Sequence, residues 1–89
     1  MAVRIELGKV VITRGAQDEV HAEDVSKALA RHSGGDWGDV DVEDRAANDA
    51  AAVEGCRVLS AYRDSVGTRF WIITEADRSF TTILLPEEY

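Results

Sequence analysis

The chain has little with which to tie itself together covalently. Its one cysteine, Cys56, excludes an internal disulfide and any multi-thiolate metal site, which suits a reducing compartment. With one proline, Pro86, and no repeat or low-complexity stretch, it offers no linker, so the 89 residues read as a single domain, 1–89. Long apolar runs are missing too. Phe70-Trp71-Ile72-Ile73 and Ile83-Leu84-Leu85 are strand-sized, against the roughly 20 residues of a membrane span, so no membrane partner is expected. Basic residues are outnumbered 10 to 17, and the net charge of −7 repels phosphate backbones and anionic lipid, which disfavours direct nucleic-acid binding. Met1 to Lys9 alternates apolar with charged residues and carries no secretory apolar stretch; the mature, cytoplasmic chain is expected to begin there.

What is present is an ordinary globular composition, 45% hydrophobic and 30% charged. A domain this short buries a modest fraction of its surface, so self-association stays open. Val3, Ile5 and Leu7 alternate with charged residues and lead through Gly8 into Val10-Val11-Ile12-Thr13, which predicts a first strand over 3–13, bent at Gly8. A weak helical turn is expected near Ala16 to Val20. From Ala22, apolar Val25, Ala28 and Leu29 fall at helical spacing, with Glu23 and Asp24 early and Lys27 and Arg31 late, as the helix dipole prefers; this helix should end near His32. Asp41 offers a cap for a second helix through Ala46, Ala47, Ala50 and Val53 to Gly55, and its alanines suggest close packing. Three strand-like segments follow, Arg57 to Arg63, Arg69 to Glu75 and Phe80 to Leu85, joined by hairpin-length links. The expected fold is α+β, a small β-α-α-β-β-β domain with an antiparallel meander and two helices on one sheet face.

Few side chains suggest chemistry. Asp36, Asp39, Asp41, Glu43 and Asp44 put five carboxylates in nine residues beside His32. Hard cations want several converging carboxylates, which makes His32, Asp36 and Asp39 weak metal candidates, but the spacing is not that of an EF-hand loop. The competing reading is that Asp41 caps the second helix while Glu43 and Asp44 favour its positive end. His32 with Asp36 could form a general base, although a histidine at a helix C-terminus is favoured by the dipole anyway. The glycines at 34, 35 and 38 match neither the phosphate-loop nor the dinucleotide spacing, and no cofactor is expected. Cys56 beside Arg57 could be activated, but a buried small hydrophobe is the plainer expectation. A second candidate surface gathers Arg57, Tyr62, Arg63, Arg69 and Trp71, arginine with aromatic residues as in interface anchors, even though strand alternation turns Tyr62 away from Arg57 and Arg63. Trp37, amid three glycines and two aspartates between Gly34 and Asp39, reads either as a working loop or as a plug between helices and sheet.

The strings His32-Ser33-Gly34-Gly35-Asp36-Trp37-Gly38-Asp39, Glu43-Asp44 with Asn48-Asp49, Arg57-Val58-Leu59-Ser60-Ala61-Tyr62, and Trp71 to Ser79 with Thr81 to Tyr89 resemble a family of short bacterial proteins found on plasmids and other mobile elements. These carry labels such as "plasmid-related protein" or "type I restriction endonuclease subunit M". The likeness covers most of the chain from His32 onward, and the segment 16–24 is shorter than the family pattern. A methylation subunit needs a cofactor-binding domain and an amino-methyltransferase motif, and neither fits in 89 residues. The resemblance implies an accessory or antagonist of host defence, restriction or CRISPR, and brings no catalytic residues. Three functions follow: an acidic protein-binding module working through Asp36, Trp37, Asp39, Asp41, Glu43 and Asp44, which is not an enzyme; a small metal-dependent hydrolase using His32, Asp36 and Asp39; or a structural homodimer pairing through a sheet edge.

Overall fold

The computed structural model describes residues 4–89. The chain runs β1 (Lys9–Ile12), α1 (Arg14–Glu19), α2 (Ala22–Ser33), α3 (Val42–Glu54), β2 (Val58–Arg63), β3 (Arg69–Thr74), β4 (Phe80–Leu84) and a closing 3-10 turn, Pro86–Glu88. The α+β class expected from the sequence is the one that forms. β2, β3 and β4 make the antiparallel meander, and β1 crosses back to lie parallel to β4, giving the sheet order β1-β4-β3-β2.

The first strand is shorter than its sequence pattern. Gly8 stands at φ +63, and a side-chain carbon there would overlap the carbonyl oxygens of Arg78 and Ser79 in the β3–β4 turn. The backbone therefore kinks where it passes that turn, and only Lys9–Ile12 pairs with β4. Val3, which would open the expected strand, lies outside the described residues. The weak helical turn proves to be a helix, α1, whose start is capped by the Thr13 hydroxyl accepting from the Ala16 amide.

Alternation then decides the two faces of the sheet. Val58, Ser60 and Tyr62, Phe70, Ile72 and Thr74, and Thr81 and Ile83 turn toward the helices. Ala16 of α1, Val20 just beyond it, and Val25 and Ala28 of α2 pack there on Tyr62, Phe70, Ile72, Ile83 and Leu85. At about 25 cal/mol per Å² of apolar surface removed from water, this cluster is the main source of stability. The opposite face, with Ile73 and Leu84 buried, is roofed at one end by the chain terminus. There Tyr89 meets Trp71 edge-on at 5.6 Å, and its hydroxyl accepts from Arg57 at 2.8 Å.

Candidate functional site

Three features of the sequence converge on the α2–α3 connection and the edge of β2. Gly34 and Gly35 end α2, and Trp37 turns inward, 2% exposed, against Ile5 and Val58 with Leu7, Val40, Ala51 and Ala52 alongside. Its Nε1 donates to Asp49 Oδ1 of α3 at 2.8 Å, and the His32 ring meets it edge-on at 5.7 Å. The Trp37 carbonyl accepts from the Ala61 amide and the Asp39 amide donates to the Ala61 carbonyl, so the loop pairs with β2 as a short extra strand. Gly38 makes this approach feasible. It sits at φ +75, and a Cβ there would overlap the Ala61 carbonyl oxygen. Gly38→Ala should therefore cost about 2–3 kcal/mol through left-handed strain and collision, read as a lower denaturant midpoint at unchanged slope.

The rest of the β2 edge is closed by a side chain. Asn48 of α3 donates from Nδ2 to the Leu59 carbonyl at 2.8 Å, and its Oδ1 accepts from the Leu59 amide at 3.3 Å. A carboxamide thus takes the place of a neighbouring strand, which explains why a polar residue occupies the buried side of α3. The consequence is a helix whose outer face carries apolar residues as well as acids. Val42 and Val53 are 75% and 78% exposed, and Ala46 and Ala50 between them face solvent. Of the alanines, Ala51 and Ala52 pack beside Trp37, while Ala46, Ala47 and Ala50 do not pack closely as expected.

His32 is entirely buried. Thr81 donates to the Leu7 carbonyl at 2.7 Å, so the Thr74 hydroxyl, 2.7 Å away, must donate to Thr81. Thr74 Oγ1 is then left to accept from His32 Nε2 at 2.8 Å, and Nδ1 accepts from the Ser60 hydroxyl. The chain of donors thereby assigns the neutral Nε2–H tautomer. Burial first, and the Arg78 charge second, push the imidazole pKa down to about 4. Both ring nitrogens are committed, so His32 has none to offer a metal or a substrate.

The acidic side chains have local duties too. Asp36 forms a two-pronged pair with Arg31, at 2.8 and 3.2 Å, and that hydrogen-bonded partner holds its carboxyl below the usual range. Asp39 approaches Arg63 at 3.5 Å, and Asp41 caps α3 by accepting from the Asp44 amide at 2.7 Å. His32, Asp36 and Asp39 do not converge, and among the described residues no three His, Cys, Asp or Glu side chains are placed to share an ion. Asp36, Asp39, Asp41, Glu43, Asp44 and Asp49 nonetheless remain exposed.

Three site expectations need correction. Trp37 does not belong with the acidic interaction surface, because its ring is buried against Ile5 and Val58. Tyr62 does not belong with the second candidate surface. It is 3% exposed on the helix-covered face, where its hydroxyl donates to the Asp36 carbonyl at 2.7 Å. Arg31 lies over its ring at 4.9 Å, and burial pushes its pKa up to about 12. Of that surface, Arg57 and Trp71 meet through Tyr89, while Arg63 and Arg69 are a cross-strand pair. Cys56 is exposed, because it follows Gly55, the left-handed C-cap of α3, before β2 begins. Arg78, another arginine between the last strands, has a structural role. At φ +61, it donates to the carbonyls of Cys56, Glu75 and Ala51 and so ties the β3–β4 turn to the end of α3.

No family model, no curated protein and no solved structure matches this chain.

Proposed function

We propose that the chain is a small acidic protein-binding module whose working surface is the outer face of α3 together with the Asp39–Asp44 segment. The observation that carries this reading is the outward stripe Val42, Ala46, Ala50 and Val53 at helical spacing, bordered by Glu43, Asp49 and Glu54. Water contact with so much apolar helix surface is unfavourable, and burial of a polar side chain on the opposite face rules out simple rotation of the helix. An acidic rim around an apolar stripe suits a basic protein surface, since complementary charge speeds the encounter and rejects acidic competitors. The resemblance to mobile-element proteins supports a target among host-defence complexes, restriction or CRISPR, with the module as accessory or antagonist. The net charge of −7 over 89 residues is modest, and wholesale imitation of DNA is the weaker form of the proposal.

Val53→Lys tests the stripe with little risk to the fold, because the side chain is 78% exposed. Loss of partner capture, with thermal stability changed by no more than about 0.5 kcal/mol, is the expected result. Retained capture removes α3 from the interface. The alternative of a metal-dependent hydrolase finds no support in the placement of His32, Asp36 and Asp39.

A further inference from the structure

The two edges of the sheet are treated differently. β2 is closed by Trp37–Asp39 and by the Asn48 carboxamide, as described above. Among the described residues, β1 pairs on one side only, with β4. The amides of Lys9 and Thr13 donate to the carbonyls of Ser79 and Ile83 in the parallel ladder with β4, so alternation directs the backbone groups of Val10 and Ile12 outward. Among the described residues no strand meets them. Their side chains are 43% and 38% exposed. An open edge with two exposed β-branched side chains is a template for another strand, and this one has none of the usual guards, neither proline nor bulge. Its one lysine, Lys9, lies at the end of the strand.

We propose that two copies of the chain pair through β1, antiparallel about a two-fold axis at Val11, to form one continuous sheet. The occupant follows from self-complementarity. Of the two-fold registers open to the outward-facing groups, the one in which Val10 exchanges hydrogen bonds with Ile12 of the other copy uses all four outward residues of the two edges, and it sets Val11 against Val11 on the axis. Each exposed apolar side chain then covers its counterpart on the same face. The register also sets Lys9 opposite Thr13 of the other copy. The Thr13 hydroxyl donates to Glu88 Oε1 at 2.6 Å, so a carboxylate stands where the incoming ammonium arrives. The segment Leu7 to Gln17 contains no acidic residue of its own, which limits repulsion between two copies of charge −7 at this edge. The free face of α3 lies beyond the opposite edge of the sheet, so pairing leaves the proposed partner surface open.

Sedimentation equilibrium of the whole chain from micromolar to submillimolar concentration tests this. The expected result is a dimer mass for the wild type and a monomer for Val10→Lys with an unchanged circular dichroism spectrum. Lys9→Glu should raise the dimer dissociation constant roughly 3- to 10-fold at low salt, with the difference shrinking as salt rises. Val11→Cys in a Cys56→Ser background gives a second measurement that needs no disruptive change. Opposed residues of a non-hydrogen-bonded antiparallel pair have Cα atoms about 4.5 Å apart, within disulfide reach, and oxidation should link the chains. A monomer throughout, a dimer that Val10→Lys leaves intact, or a failure of Val11→Cys to cross-link each overturns the proposal. So does a different protein captured at this edge while the chain alone stays monomeric.

Discussion

Replacing Trp37 with alanine should cost about 3–5 kcal/mol, a large fraction of what holds a domain of this size together. The side chain is 2% exposed and fills the space between Ile5, Val58 and the inner side of α3. Truncation removes its apolar contacts, leaves a cavity, and takes away the donor that Asp49 Oδ1 now accepts from. The loop that closes the β2 edge loses its anchor at the same time. Chemical denaturation of Trp37→Ala and Trp37→Phe separates the contributions. Phenylalanine restores most of the volume without the N–H, and about 1–2 kcal/mol should remain lost. Partner binding by the fraction still folded should be close to wild type, since the ring does not reach the surface. A fully stable Trp37→Ala chain that no longer binds would make the loop a working site and the plug account wrong.

Acid should weaken the fold well before its carboxylates protonate. His32 is held neutral in the folded chain down to about pH 4, whereas in the unfolded chain it titrates near the ordinary value of 6.5. Between those two values the unfolded state binds a proton that the native state does not. Stability therefore falls as pH drops through that window, by roughly 3 kcal/mol at most, and this contribution levels off below about pH 4. Asp36 and Glu88, whose carboxyls are held low by Arg31 and by the Thr13 hydroxyl, shift in the same direction but act in a lower window: their contribution is present above the usual carboxylate range and is lost only as pH falls through it. The two regimes can be read apart by urea unfolding from pH 7 to pH 4. His32→Gln should be less stable at pH 7, because Ser60 and Thr74 lose partners, yet flat across the upper window. A wild-type chain with no change between pH 6.5 and pH 4 would mean that the imidazole is accessible to protons.

Much of this frame can be read from local pattern. The meander is legible because strand alternation and turn residues at Asp64 to Gly67 and Ala76 to Ser79 are local signals, and Asp41, Glu43 and Asp44 mark the start of α3 where the structure has it. The parallel return of β1 onto β4 is a non-local choice and leaves no trace in periodicity. α1 was faint because its six residues include Gly15. The orientation of α3 was misjudged for a different reason. The abundance of alanine suggests close packing, but Asn48 closes the β2 edge with two hydrogen bonds, and satisfying that backbone turns Asn48 inward with Ala51 and Ala52 and leaves Ala46, Ala47 and Ala50 outside. A buried polar position within an apolar helix pattern was the available signal. For the acids, spacing identified the helix cap at Asp41 correctly, while the pairing of Asp36 with Arg31, five residues away, depends on the turn between them.

The division of labour is thus between a buried frame, comprising Trp37, Asn48 and the Ser60–His32–Thr74–Thr81 chain, and an outward acidic and apolar face on α3 that the frame holds in place. The most direct test compares captures from host lysate by the wild type and by an Asp39→Asn, Glu43→Gln, Asp44→Asn variant at low and moderate salt, with both proteins first shown to be folded. These three positions spare the Asp41 cap and the Asp36–Arg31 pair. The account predicts a basic protein enriched on the wild type at low salt, diminished at moderate salt and lost from the variant. Identical captures by the two proteins, at both salts, would contradict it.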